Sequence, residues 1–209
     1  QMCIRDRGVF GVYGSTDAYV AKFSSSGILQ WISQIGVAAN DTSAQSIIRD
    51  SSGNLYLVGN AQGVIAGGTQ YGTHGVIDFF ISKFNSSGVH QWTSQLGVAG
   101  SQSVGSGLYL DGSGNIHMIG SSQGVLAGGT QYGAHGNYDA VLARFDSGGV
   151  LQWISQLGAA GNWTHAYNAV QDGSGNLYIS GYSTGVIAGS TQYGVHDCLL
   201  YTSPSPRDS

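Results

Sequence analysis

The sequence is poor in charge. Charged residues make up 9% of the 209 residues, and glutamate is absent. Between residues 8 and 197 there are nine aspartates and only four basic residues, Lys22, Arg49, Lys83 and Arg144. This balance offers no basic stripe for a phosphate backbone, so we expect no nucleic-acid partner. The sequence also lacks an apolar run of about 18 residues, so we expect no membrane span.

Cysteine and proline occur only at the two ends. Residues 1 to 7 (QMCIRDR) and 198 to 209 (CLLYTSPSPRDS) hold both cysteines and both prolines, and they match nothing else in the chain. They resemble translated transposase-type adapters of sequencing libraries. We therefore expect two non-native tails on an internal fragment of a longer chain, as in a metagenomic read, and no disulfide between Cys3 and Cys198. QMCIRDR also lacks the apolar centre of a signal peptide.

The rest of the chain is an internal repeat. GVIAGGTQYGTHG at 63–75 returns as GVLAGGTQYGAHG at 124–136 and begins again, at the same spacing, at position 185. That spacing also relates four further sets: Asp17, Asp78 and Asp139; Trp31, Trp92 and Trp153; Asp50, Asp111 and Asp172; His74, His135 and His196. The sequence therefore predicts a repeat array over residues 8–197 with a period of about 61 residues, in units at about 17–77, 78–138 and 139–197.

Each unit contains four short apolar stretches separated by turn signals. DAYVAKF and LQWISQIG alternate in hydrophobicity and flank the turn SSSG; AQSIIRD and NLYLVG flank a second turn, SSGN. Period-two alternation with glycine turns indicates antiparallel strands. Four strands per unit predict an all-β fold, a partial β-propeller of about three blades. A parallel β-helix is the alternative, but its coils are typically shorter and have no paired hairpin turns. Since propellers close with four to eight blades, we expect the remaining blades in a longer parent chain.

These elements resemble a known family. DAYVAKFSSSGILQWISQIG followed by SIIRDSSGNLYLVG is similar to the SBBP beta-propeller repeats of bacteria. The resemblance covers essentially residues 8–197. It implies a propeller scaffold in a secreted or cell-surface bacterial protein, and it implies no catalytic site.

Two groups of residues are candidates for binding. The loops between the second and third strands vary between units, and the third loop carries Asn162, Trp163 and His165. A constant scaffold with varied loops is typical of binding surfaces, although surface loops also drift without constraint. The second group recurs in every unit: Gln70, Tyr71 and His74; Gln131, Tyr132 and His135; Gln192, Tyr193 and His196. Tyrosine stacks on sugar rings while Gln and His hydrogen-bond, so this group suits a glycan, but packing between blades would equally explain it.

Other polar residues predict less. The turns that begin at Asp50, Asp111 and Asp172 lack the further acidic ligands of calcium loops, so we interpret each aspartate as a turn cap. Lys22, Lys83 and Arg144 share a register on the first strand of each unit, which we expect to line the central channel, where they would hold an anion or extend into water. One histidine per loop without a nearby second ligand predicts no metal site.

The sequence thus predicts a non-catalytic scaffold that presents loops to a glycan or protein ligand. Paired carboxylates and Ser/His/Asp sets are lacking, so we expect neither an enzyme nor a cofactor. The alternatives are a carbohydrate-binding propeller that uses the Tyr/Gln/His loops, and a fragment of a propeller enzyme whose catalytic residues lie elsewhere.

Overall fold

The computed structural model describes residues 5–187 and 189–190. Cys3, Cys198, Gln192, Tyr193, His196 and the tail 198–209 lie outside the described residues. The strands of the described part are β1 (Arg5–Gly11), β2 (Ala18–Phe23), β3 (Leu29–Gly36), β4 (Thr42–Arg49), β5 (Leu55–Ala61), β6 (Thr69–Gly72), β7 (Asp78–Phe84), β8 (His90–Gly97), β9 (Ser103–Leu110), β10 (Ile116–Ser122), β11 (Thr130–Tyr132), β12 (Asp139–Phe145), β13 (Leu151–Leu157), β14 (Thr164–Gln171) and β15 (Leu177–Ser183). A search of these residues found no helix long and apolar enough to cross a membrane.

The strands form two complete blades and two partial ones. The complete sheets have the orders β4-β5-β7-β8-β6 and β9-β10-β12-β13-β11. In each, four strands form an antiparallel meander and the short fifth strand runs parallel to its neighbour. The partial sheets are β1-β3-β2 and β14-β15. The predicted all-β fold, a partial β-propeller, is confirmed.

The blades are offset from the sequence units by half a unit. We expected the four strands of one unit to form one sheet, but β3 and β4 do not pair, and β5 pairs instead with β7 of the following unit. Each complete blade therefore joins the last two strands of one unit to the first two of the next. Strands β6 and β11 are a further difference, because the sequence predicted only a connection there.

The half-unit offset also corrects the prediction for the basic residues. Strands β4, β9 and β14 come first in their sheets, and β9 contacts both β4 and β14, so these strands face the propeller axis. Lys22, Lys83 and Arg144 lie on β2, β7 and β12. In a complete blade this strand is the third from the axis, outside the two inner strands. The prediction that they line the channel was wrong. Instead, the Lys83 ammonium lies 5.2 Å from the centre of the Tyr56 ring, within cation–π range.

The core lies between blades. Val58, Phe79 and Ile81 of one blade pack on Met118 and Val141 of the next, and all five are fully buried. Since both faces of each complete sheet are covered in this way, successive residues of β7 and of β10 are buried, without the simple alternation of a one-sided sheet.

A joint between blades forms where a tight turn meets a tryptophan. Gly149, at the turn between β12 and β13, has φ +85°, and a Cβ there would lie 2.7 Å from Trp92 Cε3 of the preceding blade. Ser94 Oγ donates to Gly149 O at 2.7 Å. The same contacts recur one unit earlier, where Gly88 meets Trp31. Glycine is needed here both for the positive φ and for the close approach.

A buried glutamine fixes the start of each long connection, the glycine-rich segment that leads from the second to the third strand of a complete blade (residues 62–77 and 123–138). Gln95, 1% exposed, accepts a hydrogen bond from Ile65 N at 2.7 Å and donates to Gly63 O at 2.8 Å. Gln156 does the same with Leu126 N and Gly124 O. The repeated amides are therefore part of the framework.

Candidate functional site

Two kinds of connection meet on one face of the propeller, here called the rim. They are the long connections and the loops that lead from one blade to the next, between β3 and β4, β8 and β9, and β13 and β14. Ile77 N and Val76 N both donate to Ser101 O, and Ser103 N donates to Ile77 O at 2.8 Å. Equivalent bonds join Thr16 to Thr42 and Tyr138 to Thr164. These two kinds of connection therefore share one face of the propeller, and the tight turns lie at the other ends of the strands.

Each rim contact brings a varied pair of residues side by side. Isolated parallel bridges pair Thr16 with Asp41, Ile77 with Gln102, and Tyr138 with Trp163. The Thr16 hydroxyl donates to Asp41 Oδ1 at 3.0 Å. The backbone is thus the same in three successive units, while the paired side chains are polar, mixed and aromatic in turn.

The third pair is the centre of an aromatic stack. The Tyr138 ring lies 4.9 Å from that of Trp163 and 5.0 Å from that of His165, both nearly parallel to it. His165 stacks in turn on Tyr182 at 5.0 Å, and Tyr182 lies 5.9 Å from Tyr167. Trp163 remains 45% exposed whereas Tyr138 is 6% exposed. The stack thus presents one indole to solvent on a buried aromatic base.

The predicted residues of this loop have different roles. Trp163 and His165 are brought together, whereas Asn162 holds the loop: its Nδ2 donates to Ala160 O at 2.7 Å. Burial lowers the pKa of His165 below its ordinary value, so the ring in the stack is neutral near pH 7. Neutral aromatic faces favour apolar or CH-rich ligands.

Sequence reasoning missed Tyr138, Tyr167 and Tyr182 as members of this stack. A signal was present, since their equivalents one unit earlier are Ile77, Ser106 and Ser121, none of them aromatic. A comparison of the units at both positions of each rim contact would have identified Tyr138, because it departs from the repeat as its partner Trp163 does.

The recurring Gln/His group serves a buried carboxylate. Asp78, 0% exposed, accepts hydrogen bonds from Gln70 Nε2 at 3.2 Å, from His74 Nδ1 at 2.7 Å and from Gly75 N at 2.8 Å. Asp139 is held in the same way, as the equivalent bonds show: Gln131 Nε2 at 3.0 Å, His135 Nδ1 at 2.7 Å and Gly136 N at 2.9 Å. These side chains are committed to the scaffold, because burying a carboxylate without such partners is costly.

The recurring tyrosine packs between blades where a following blade is described. The Tyr71 hydroxyl donates to Gly149 O at 3.3 Å and accepts from Leu151 N at 3.2 Å, and its ring meets Phe145 edge-on at 6.0 Å. Tyr132, its equivalent, is 56% exposed. Of the two explanations for this group, the geometry of Tyr71 favours packing between blades.

The aspartate turns are capped as interpreted from the sequence. Asp111 Oδ1 accepts from Ser113 N and Asn115 N, each at 2.9 Å, and Gly114 has φ +80°. Partial burial raises the pKa of Asp111, but its hydrogen bonds from Asn115, His117 and Ser113 outweigh burial and bring the pKa to about 2. In residues 5–187 and 189–190 no three His, Cys, Asp or Glu side chains group in a way that could hold a metal ion.

The family model of the SBBP repeat, described as a beta-propeller repeat, matches residues 30–65 and 91–127. The chain carries SBBP beta-propeller repeats. Each match begins on the second strand of a unit and crosses the rim loop into the following blade, and the two matches start at equivalent positions of successive units. A comparison with curated proteins found no match.

Proposed function

We propose that these SBBP repeats are a non-catalytic scaffold of a secreted or cell-surface bacterial protein and present their rim to a ligand. One observation carries the proposal: residues constant between units are committed to the framework, while residues that vary meet in pairs on one face. Gln70, His74 and Gln95 have buried partners, and Asp41 and Trp163 face solvent. A surface role outside the cell is supported by the resemblance of the repeats.

The division between framework and rim is tested by exchange within the repeat. Asp41→Gln installs the residue that the second unit has at that position, Gln102. We expect it to change the unfolding temperature by less than about 2 °C, because exposed substitutions usually change stability by about 0.5 kcal/mol or less. Gln95→Ala is the matched framework variant and should lower it by several degrees, since Ile65 N loses its acceptor. Equal losses at both kinds of site would contradict the proposal.

Exposure outside the cell has its own test. Intact bacteria that carry the gene are treated with a protease, and the repeats are followed with an antibody against the rim. Loss of the signal without lysis supports a surface location, and protection until lysis contradicts it.

A second candidate function is carbohydrate binding, and the Trp163 stack favours it. An indole that is 45% exposed and backed by Tyr138 offers the flat apolar surface on which a sugar ring stacks. This moves the site from the Tyr/Gln/His group to the pair formed by Tyr138 and Trp163, since Gln131 and His135 are bound to Asp139. Asn162 contributes by fixing the loop, and His165 by supporting the stack.

A glycan array probed with the full chain decides between the two aromatic sites. If the Trp163 stack binds the glycan, Trp163→Gln should weaken binding at least tenfold, the loss typical of a central interface aromatic, while Tyr132→Ala leaves it unchanged. Ile28→Ser, on a tight turn at the opposite face and 48% exposed, is a control for nonspecific apolar contact. Binding that is lost in Tyr132→Ala but kept in Trp163→Gln would return the site to the repeated loops.

A further inference from the structure

The second and third rim pairs are in direct contact with each other. In the third pair, the Tyr138 hydroxyl donates to Gln102 Oε1 of the second pair at 3.0 Å. Gln102 is fixed in turn by Gln123, because Gln102 N donates to Gln123 Oε1 at 3.1 Å and Gln123 N donates to Gln102 O at 2.9 Å. All three residues lie in connections of the two complete blades. The two pairs therefore form one continuous surface across neighbouring blades.

The rim pairs recur at the spacing of the blades. In the complete blades, each pair joins a residue that precedes the third strand to one in the loop that leaves the blade. Facing sheets pack about 10 Å apart, so the first and third pairs are separated by about 20 Å along the arc of the rim. A ligand no larger than one sugar ring reaches a single pair, whereas a chain of rings reaches several.

The pairs offer different contacts to such a chain. Thr16 and Asp41 are both exposed and present hydroxyl and carboxylate oxygens. Ile77 and Gln102 are half-buried and present an aliphatic side chain beside an amide. Trp163 presents the face of its indole. The hydroxyl groups of a sugar hydrogen-bond to carboxylate and amide groups, and its C–H face stacks on an aromatic ring, so these contacts suit successive sugar units.

Fixed charge at the rim has one sign. Four aspartates lie at the rim ends of strands: Asp17, Asp41, Asp78 and Asp139. The four lysines and arginines of residues 8–187 lie instead at the tight-turn ends of their strands: Lys22, Arg49, Lys83 and Arg144. Negative charge without a nearby cation repels a phosphorylated or uronic-acid ligand. The rim therefore favours a ligand without anionic groups.

We propose that the rim binds a neutral linear oligosaccharide that spans several pairs, an inference that rests on the carbohydrate-binding function proposed above. One sugar ring stacks on Trp163, and the rings that follow in the chain contact Gln102 and then Asp41. The later contacts form within a ligand that is already bound, so each adds affinity as an intramolecular event. The length of the ligand is thus part of what the rim recognises.

Oligomers of different length test the proposal with the full chain. Two-unit and six-unit oligomers of cellulose, xylan, starch and chitin are titrated by calorimetry, with a six-unit oligogalacturonate as the acidic probe. We expect the six-unit form of the preferred neutral glycan to bind at least tenfold more tightly than its two-unit form, well above the small statistical gain of a longer chain. The acidic probe should bind at least tenfold more weakly than the neutral six-unit form.

Two variants locate the additional contact. Asp41→Ala removes a group that only the longer oligomer reaches, so it should weaken binding of the six-unit form about tenfold and leave that of the two-unit form unchanged. Asp146→Ser is the matched control, because it removes the same charge at a tight turn and installs the residue of the first unit, Ser24. The control should change neither affinity.

The possible outcomes separate the extended site from carbohydrate binding itself. If a neutral glycan binds, loses affinity in Trp163→Gln and binds equally at both lengths, the extended site is overturned and carbohydrate binding stands. If no neutral glycan binds, both are overturned. Equal binding of oligogalacturonate would overturn the selectivity for neutral ligands. Equal effects of Asp41→Ala and Asp146→Ser on the six-unit form would overturn the contact at the first pair.

Discussion

We expect His90 to make the stability of this propeller depend on pH. Its ring stacks on Phe10 with centroids 3.4 Å apart, and its Nε2 lies 2.8 Å from Thr93 Oγ1. Burial lowers the pKa of His90 from 6.5 to about 4, against a smaller opposing effect of the Trp92 backbone. The unfolded chain therefore takes up a proton first as the pH falls, so this part of the stability is present above pH 6.5 and is lost toward pH 4.

His90→Leu installs the residue found at the equivalent positions, Leu29 and Leu151. Between pH 7.5 and pH 4.5 we expect the unfolding temperature of the variant to fall less than that of the original chain, because leucine has no proton to gain. Thermal melts of both chains at the two pH values measure the difference. Parallel pH profiles would show that His90 is not the group that titrates.

Asp78 and Asp17 occupy the same position but differ in their partners. Asp78 accepts three hydrogen bonds, whereas the one recorded for Asp17 comes from Gly14 N at 2.9 Å. We expect Asp78→Ala to lower the free energy of unfolding by about 2 kcal/mol more than Asp17→Ala, at about 1 kcal/mol for each additional bond. Denaturant titrations of the two variants give the comparison, and equal losses would mean that Gln70 and His74 add no stability.

The roles of the repeated polar residues illustrate what sequence alone gives at this scale. The spacing of Gln70, His74 and Asp78 was visible, but the same residue types suit a glycan and a buried carboxylate. Only the burial of Asp78 distinguishes these two roles. That burial requires a glycine at position 97, where a Cβ would collide with the Asp78 carboxylate. The turn caps were predictable because Asp111 and Asn115 lie close together in the sequence, where local geometry is decisive.

At the scale of elements, the tight turn between β12 and β13 also acts as the contact between blades. Gly149→Ala combines backbone strain at φ +85° with a clash against Trp92. Gly27→Ala is a matched control, since Gly27 has φ +78° at the equivalent turn but a Cβ there meets nothing within 4 Å. We expect Gly149→Ala to lower the unfolding temperature several degrees more than Gly27→Ala, because only the former must displace an indole.

If the two glycine variants lowered the unfolding temperature equally, the prediction would be contradicted. The effect of Gly149→Ala would then come from backbone strain alone and not from the contact with Trp92. A third variant, Trp92→Ala, removes the partner. Once the indole is absent, adding Gly149→Ala should cost no more than Gly27→Ala, and the interaction energy of this cycle measures the contact directly.

Strands and turns followed from the sequence, but their grouping into sheets did not. The pattern of LQWISQIG and AQSIIRD is that of two strands, and the loop between them is short enough for either a hairpin or a crossing between blades. In the structure β3 and β4 belong to different sheets, and Trp31 of β3 packs against the turn of the next blade, which contains Gly88. That contact joins positions in two different repeat units, so no local pattern could specify it.

At the scale of the whole molecule, protection against hydrogen exchange should follow the completeness of each sheet. Strands β10 and β15 occupy equivalent positions, but within residues 5–187 and 189–190 β10 is paired on both sides and β15 only with β14. In dilute solution we expect the amides of β15 to exchange at least tenfold faster than those of β10, since open edges unfold locally at low cost. Mass-spectrometric exchange on peptides from both strands tests this, and equal protection at nanomolar concentration would contradict it.

The half-unit offset between sequence units and blades has an evolutionary consequence. Every complete sheet takes its inner strands from one unit and its outer strands from the next, so any two neighbouring copies supply compatible halves. Unequal crossing-over between gene copies that adds or removes the codons of one whole unit would leave each remaining sheet with the same partners and the same register. An array of this kind can change in number without passing through an unpaired intermediate.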